Sequence, residues 1–167
     1  RASLLSGTVL IDDYTLCGST NTAIVADSNN TGILSYAWLR DGKIISTEQS
    51  YTPTNADVGE FLICKVTSSV ELGSISRATY VIPAALFEAD GYDSGVLSNT
   101  LSGMKYSIDG GAIWHDITEN TMSLTGVTEV NDIMLYQPAI GSITSNSEVQ
   151  IIDVTRAVPP ALVASQP

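Results

Sequence analysis

The sequence predicts an all-β chain built as two small β-sandwiches in tandem, and three observations predict it. The runs between turns are short and rich in Val, Ile, Thr and Tyr, which suit a pleated, half-buried surface. Gly and Pro punctuate the whole chain, and no long segment carries apolar residues at helical spacing. One pattern also occurs twice: a strand ending in Asp-Gly, then a corner, then a second strand. It is first written Tyr36-Ala-Trp38-Leu-Arg40-Asp41-Gly42, answered by Ala56-Asp57-Val-Gly59-Glu-Phe61-Leu62-Ile-Cys64. It returns 68 residues later in Met104-Lys-Tyr106-Ser-Ile108-Asp109-Gly110-Gly111, answered by a corner at 125–132 and a strand at 133–136. A 68-residue offset suits one small sandwich, so domains are expected at 1–83 and 84–156.

The elements follow in order. Residues 8–17 alternate around Val9, Ile11, Tyr14 and Leu16 and read as one or two strands. A turn at 18–22, a short strand at 23–26 and a polar loop at 27–32 lead into the strand 33–40. There a period of two puts Leu34, Tyr36 and Trp38 on one face. Asp41-Gly42 is a strong hairpin turn. Residues 43–46 and 50–52 continue as edge strands, and 53–59 form the corner before the Cys64 strand. Leu62, Cys64 and Val66 then face Trp38. A turn at 68–72 and a strand at 74–82 close the first sandwich. Residues 84–89 suit either one helical turn or a linker, and linker is the reading taken.

In the second half the Asp109-Gly-Gly hairpin admits two registers. A two-residue loop pairs Ile108 with Ile113 and leaves Trp114 outside. A three-residue loop pairs Ile108 with Ala112 and Tyr106 with Trp114, burying the largest side chain beside another aromatic. The second is the expectation, so Trp38 and Trp114 are each expected to nucleate a core. Residues 148–154 are expected to form the closing strand. Residues 157–167, rich in Pro and Ala, read as an extended tail, with an arm docking on a neighbour as the alternative.

Charge narrows the function classes. The net charge is −11, with −3 in residues 1–83 and −8 in residues 84–167. Such a surface repels phosphate backbones, so no nucleic-acid partner is expected. No apolar run approaches the roughly 18–20 residues that span a bilayer, so no membrane insertion is expected. No signal peptide is visible, but the chain starts at Arg1, so its export route is not read from it. Two cysteines, Cys17 and Cys64, are too few for a disulfide framework or a Cys-based zinc site.

Residues 7–82 resemble an immunoglobulin-like repeat common in tailed-phage virion proteins and bacterial surface proteins. The resemblance is carried by Leu34-Ser35-Tyr36, Trp38, Arg40-Asp41-Gly42, Tyr51-Thr52, Ala56-Asp57-Val58-Gly59 and Leu62-x-Cys64-x-Val66. A second stretch, about 87–156, is similar to fibronectin-like or immunoglobulin-like repeats of the Tyr-Ser-x-Asp-Gly-Gly-x-x-Trp type through residues 104–136. The resemblance implies a non-enzymatic module for adhesion, spacing, or decoration of a capsid or tail. It places the chain on a virion surface, or on a bacterial cell surface as a piece of an adhesin. The implied partners are other virion proteins, copies of itself, or a host-surface glycan or protein. Two departures stand out. Leu16 and Cys17 are adjacent, so only one faces the core; if Leu16 does, as in the repeat, Cys17 points outward, and a Cys17–Cys64 disulfide is left open. Phe61 stands near where antibody-type domains place a corner tyrosine, with the spacing shifted by one.

Few residues invite chemistry. His115 is the only histidine and is expected on the outer face with no nucleophile motif nearby. No catalytic residue and no cofactor is therefore expected. Glu88, Asp90 and Asp93 gather three carboxylates in a Gly-containing turn and suit calcium by type, although turns are rich in Asp and Gly for backbone reasons alone. Asp12-Asp13 reads as a solvated turn. Asn29-Asn30-Thr31 is a glycosylation sequon with no expected role. The partner-binding candidates are Ala37, Leu39, Phe61 and Ile63. If Trp38 and Cys64 point inward, these four form an apolar strip on the sheet exterior, where alternation calls for polar residues. A saccharide-binding module would need an exposed aromatic platform, which Trp114, Tyr92 and Tyr136 supply only if Trp114 lies outside the core.

Overall fold

A computed structural model describes residues 2–128 and 131–154, and the tail expected at 157–167 lies outside them. The chain is all-β and immunoglobulin-like, with two compact units: residues 1–84 with 139–147, and residues 85–138 with 148–167.

The first unit contains β1 (Thr8–Leu10), β2 (Tyr14–Leu16), β3 (Asn21–Thr22), β4 (Ile24–Ala26), β5 (Leu34–Arg40), β6 (Lys43–Ser46), β7 (Ser50–Tyr51), β8 (Phe61–Ser68) and β9 (Ile75–Ile82). One sheet has the order β2-β9-β8-β5-β6, antiparallel except where β2 runs parallel to β9. Two short ladders, β1-β4 and β3-β7, supply the second layer. Trp38 stands opposite Cys64, flanked by the Tyr36–Val66 and Arg40–Leu62 pairs. Trp38, Leu62, Cys64 and Val66 are fully buried with Val9, Ala23 and Val81. The indole N–H donates to the Glu48 carbonyl at 3.1 Å, so burial of the ring leaves no polar atom unpaired. Asp41 and Gly42 both have positive φ (49° and 74°) and join Arg40 to Lys43 in the expected two-residue hairpin.

The second unit contains β10 (Leu86–Ala89), β11 (Ser94–Ser98), β12 (Lys105–Ser107), β13 (His115–Asp116), β14 (Thr121–Thr125), β15 (Ile133–Tyr136) and β16 (Gln150–Ile152). Its sheets are β10-β11-β14 and β13-β12-β15-β16, all antiparallel. Leu97 and Leu124 from the first sheet share one core with Ile133 and Leu135 from the second, together with Met104 and Ile117.

Several expectations are corrected. Residues 84–89 are neither linker nor helix: β10 pairs Phe87 with Leu97, and four residues were too few for the alternation to show. The turn expected at 18–22 contains β3, a two-residue strand held by β7. At β2 it is Thr15, not Leu16, that is buried. Its hydroxyl is hydrogen-bonded to Thr79 at 2.8 Å and accepts from Asn21 at 2.7 Å, so a polar pair fills a position expected to be apolar. Cys17 and Cys64, whose pairing the sequence leaves open, are both free thiols.

The hairpin at 109–111 also differs. Tyr106 stands opposite His115, not Trp114. Gly110 and Gly111 both take positive φ (72° and 87°), and side chains brace the loop they make: Asp109 accepts from the Ile113 N–H at 2.9 Å, and Ser107 Oγ accepts from the Gly111 N–H at 3.0 Å. The shift of one residue moves Trp114 to the other face. The second core is accordingly built on aliphatic side chains and Met104, with no tryptophan in it.

Candidate functional site

The inward residues of β5 and β8 fix what faces out. Alternation places Ala37, Leu39, Phe61 and Ile63 on the outer face of the five-stranded sheet, opposite in sense to Trp38, Leu62 and Cys64. The pairing register sorts them into rows. Ile44 faces Leu39, Leu39 faces Ile63, and Ile63 faces Ala78, giving an apolar ladder across β6, β5, β8 and β9. Ile44 is 62% exposed and Ile63 is 43% exposed. The neighbouring row pairs Ala37 with Lys65 and Lys65 with Ser76 and is polar.

The row on the other side runs from Phe61 to Tyr80 to Tyr14. The Phe61 and Tyr80 rings lie 4.9 Å apart, and Tyr80 meets Tyr14 edge-on at 6.4 Å. Here the segment Ala139–Ser147 is part of the first unit. The Tyr14 hydroxyl donates to the Ser145 carbonyl at 2.8 Å, and Gly141 lies against the Phe61 ring. The four candidates therefore share one face but not one environment: Phe61 is packed under a loop, whereas Leu39 and Ile63 belong to the open row. Ile44 was within reach of sequence reasoning, because a two-residue Asp41-Gly42 loop puts it opposite Leu39. Ala78 was not, because its register depends on the β8–β9 pairing.

A buried carboxylate, Asp57, sits at the corner before β8. Arg40 pairs with its Oδ1 at 2.7 Å. Tyr51 OH, the Thr54 N–H and Thr54 Oγ1 donate to Oδ2 at 2.9, 2.8 and 2.9 Å. Burial alone would raise the carboxyl. The hydrogen bonds from Thr54 and Tyr51, together with the Arg40 charge, outweigh burial and hold it below the usual carboxylate range. Both oxygens are committed to protein donors, so Asp57 secures the corner rather than presenting a base. Glu71 does similar work between loops: the Thr31 N–H and hydroxyl donate to one oxygen and Ser68 to the other.

The remaining candidates are dispersed. Glu88 lies on β10, Asp90 accepts from Ser94 Oγ at 2.7 Å, and Asp93 lies in the turn before β11. Among the described residues no three His, Cys, Asp or Glu side chains gather around one point, Glu88, Asp90 and Asp93 included. His115 is exposed, with its ring 5.2 Å from that of Tyr106. Asp13 pairs with Arg77 at 2.7 Å. The Asn29 amide of the sequon is engaged: it donates to the Leu4 carbonyl and accepts from the Ser6 N–H, both at 2.8 Å. Cys17 lies 3.4 Å from Asn55 Oδ1, and burial pushes the Cys64 thiol up to about 11.

No family model and no curated protein sequence matches the chain. Among solved structures, it is similar to the three N-terminal domains of the bacteriophage RB49 highly immunogenic outer capsid protein (Hoc), with 15% identity, TM-score 0.42, and 92% of this chain and 71% of that one covered. The mouse nectin-like molecule 4 ectodomain aligns at 14% identity and TM-score 0.31, over 94% of this chain and 66% of that one. Titin domains z1z2, solved in complex with telethonin, align at 13% identity and TM-score 0.36, over 95% and 100%. The fold assignment rests on the strand order and cores described above.

Proposed function

We propose that this chain is a non-enzymatic structural module of a tailed-phage virion, decorating the capsid or tail and docking on other proteins through the outer face of its first sheet. The observation that carries the docking part is the open row Ile44–Leu39–Ile63–Ala78, an aliphatic ladder on a face where a solvated sheet carries polar side chains. The commitment of both Asp57 oxygens to structural donors supports a non-catalytic role. The placement on a virion is supported by the repeat-like residues between 34 and 66.

The test is rebinding. The purified chain is added to particles of its source that lack it, beside Leu39→Asp. The reading predicts that the unmutated chain binds and that Leu39→Asp, with an unchanged melting temperature, loses at least about tenfold in affinity, since each factor of ten is only about 1.4 kcal/mol. If Leu39→Asp unfolds the chain, the row is core. If the unmutated chain does not bind particles, or is found only within a longer cell-surface protein, the virion reading is wrong.

A further inference from the structure

The register that expels Trp114 from the second core also builds a surface. Lys105 pairs with both Asp116 and Tyr136, while the intervening Tyr106 pairs with buried Leu135. Lys105, Asp116 and Tyr136 therefore point to the outer face of the four-stranded sheet, and Trp114, two residues before Asp116, joins them. The indole meets Tyr136 edge-to-face, with centroids 4.7 Å apart and planes at 82°, and both side chains are half-buried, each keeping part of its ring at the surface. The loop that presents it is held from within: Ser107 Oγ donates to Asp109 at 2.6 Å, and both side chains accept loop N–H groups. A Cβ built on Gly111 would lie 3.6 Å from the indole and 3.7 Å from the Met134 sulfur, so loop, indole and sheet are in close order. Beside the two rings runs the Lys105–Asp116 ion pair.

We propose that this face, centred on Trp114 and Tyr136, binds a neutral saccharide. A pyranose ring is amphipathic: its axial C–H groups form an apolar face, and its rim carries hydroxyls. Fixed aromatic rings beside a charged donor–acceptor pair match both halves, which a purely aliphatic row does not. The charge decides between sugars. Residues 84–167 carry ten acids and two bases, and that field opposes sialylated, sulfated or uronic ligands. Tyr92 is not part of the platform, because it lies in the turn between β10 and β11 of the other sheet. The proposal stands on the second unit alone and does not depend on the docking role of the first.

The test is a glycan array carrying neutral and sialylated glycans, with hits titrated as free oligosaccharides against the full ¹⁵N-labelled chain. The expected result is binding of neutral glycans that shifts the Trp114 indole N–H resonance and leaves that of Trp38 in place. Trp114→Ala should weaken binding at least about tenfold and Trp114→Phe less. Absence of any neutral hit, preference for acidic glycans, or binding that leaves the Trp114 resonance unmoved overturns the proposal. The resonance test uses the unmutated chain and remains decisive if Trp114→Ala fails to fold.

Discussion

Gly141 lies against the ring of Phe61: a Cβ built on it would stand 2.8 Å from Phe61 Cζ, and its φ of +59° already favours glycine. This contact separates the covered row Phe61–Tyr80–Tyr14 from the open row Ile44–Leu39–Ile63–Ala78 on the same sheet. A valine at 141 meets both the ring and an unfavourable backbone. Gly141→Val should therefore cost about 1–3 kcal/mol, read as a lower urea midpoint. It should also free the Tyr14 hydroxyl from Ser145, read as increased proteolysis within 139–147. A variant as stable as the parent would show that the segment does not hold the row closed.

Asp57 should be among the costliest single sites. Asp57→Ala leaves the Tyr51 hydroxyl and the Thr54 N–H without this acceptor and takes one of two acceptors from Arg40, and leaving buried donors unsatisfied costs about 1–3 kcal/mol. Equilibrium urea unfolding measures it. A loss under 1 kcal/mol would mean that the corner does not depend on the carboxylate.

The same group sets a pH dependence. The folded Asp57 carboxyl titrates below its unfolded value of about 3.9, so its stabilisation is complete above that value. It is lost as the pH falls through the folded value. Glu71 is shifted the same way, chiefly by the Ser68 and Thr31 hydrogen bonds. Stability should be level near neutrality and decline below about pH 4, and Asp57→Asn should decline less steeply than the parent. An Asp57→Asn curve parallel to that of the parent would remove Asp57 from the acid limb.

The two thiols should differ. Cys64 is fully buried and its thiol is pushed up to about 11, whereas Cys17 is partly exposed. At pH 8 under native conditions iodoacetamide should label Cys17 and spare Cys64, with both labelled in denaturant. Equal native labelling would mean that the Trp38 core opens readily.

Much of the first unit was legible because its signals are local. Asp41-Gly42 names its own turn, and alternation around Trp38 names the inner face of β5 before any pairing is known. The second unit was less legible. Short strands such as β10 and β14 turn only two side chains each inward, too few to show a period. The loop at 109–113 is braced by Ser107 and Asp109 side chains as well as by its two glycines, and no spacing rule reads the register that this sets. The outer strip could be read from parity alone, but which part of it is covered depends on Ala139–Ser147, some 80 residues from Phe61 in sequence. Long-range contacts of that kind leave no mark in a periodicity.

The contrast between the two tryptophans tests the account most directly, because core and surface are assigned from it. Acrylamide quenching of the native chain should resolve a shielded, blue-shifted emitter, the fully buried Trp38, and a more quenchable one, the half-buried Trp114. Trp114→Phe should remove the quenchable component and leave the shielded one with an unchanged melting temperature. Two equally shielded emitters, or a Trp114→Phe chain that still holds the quenchable component, would contradict it.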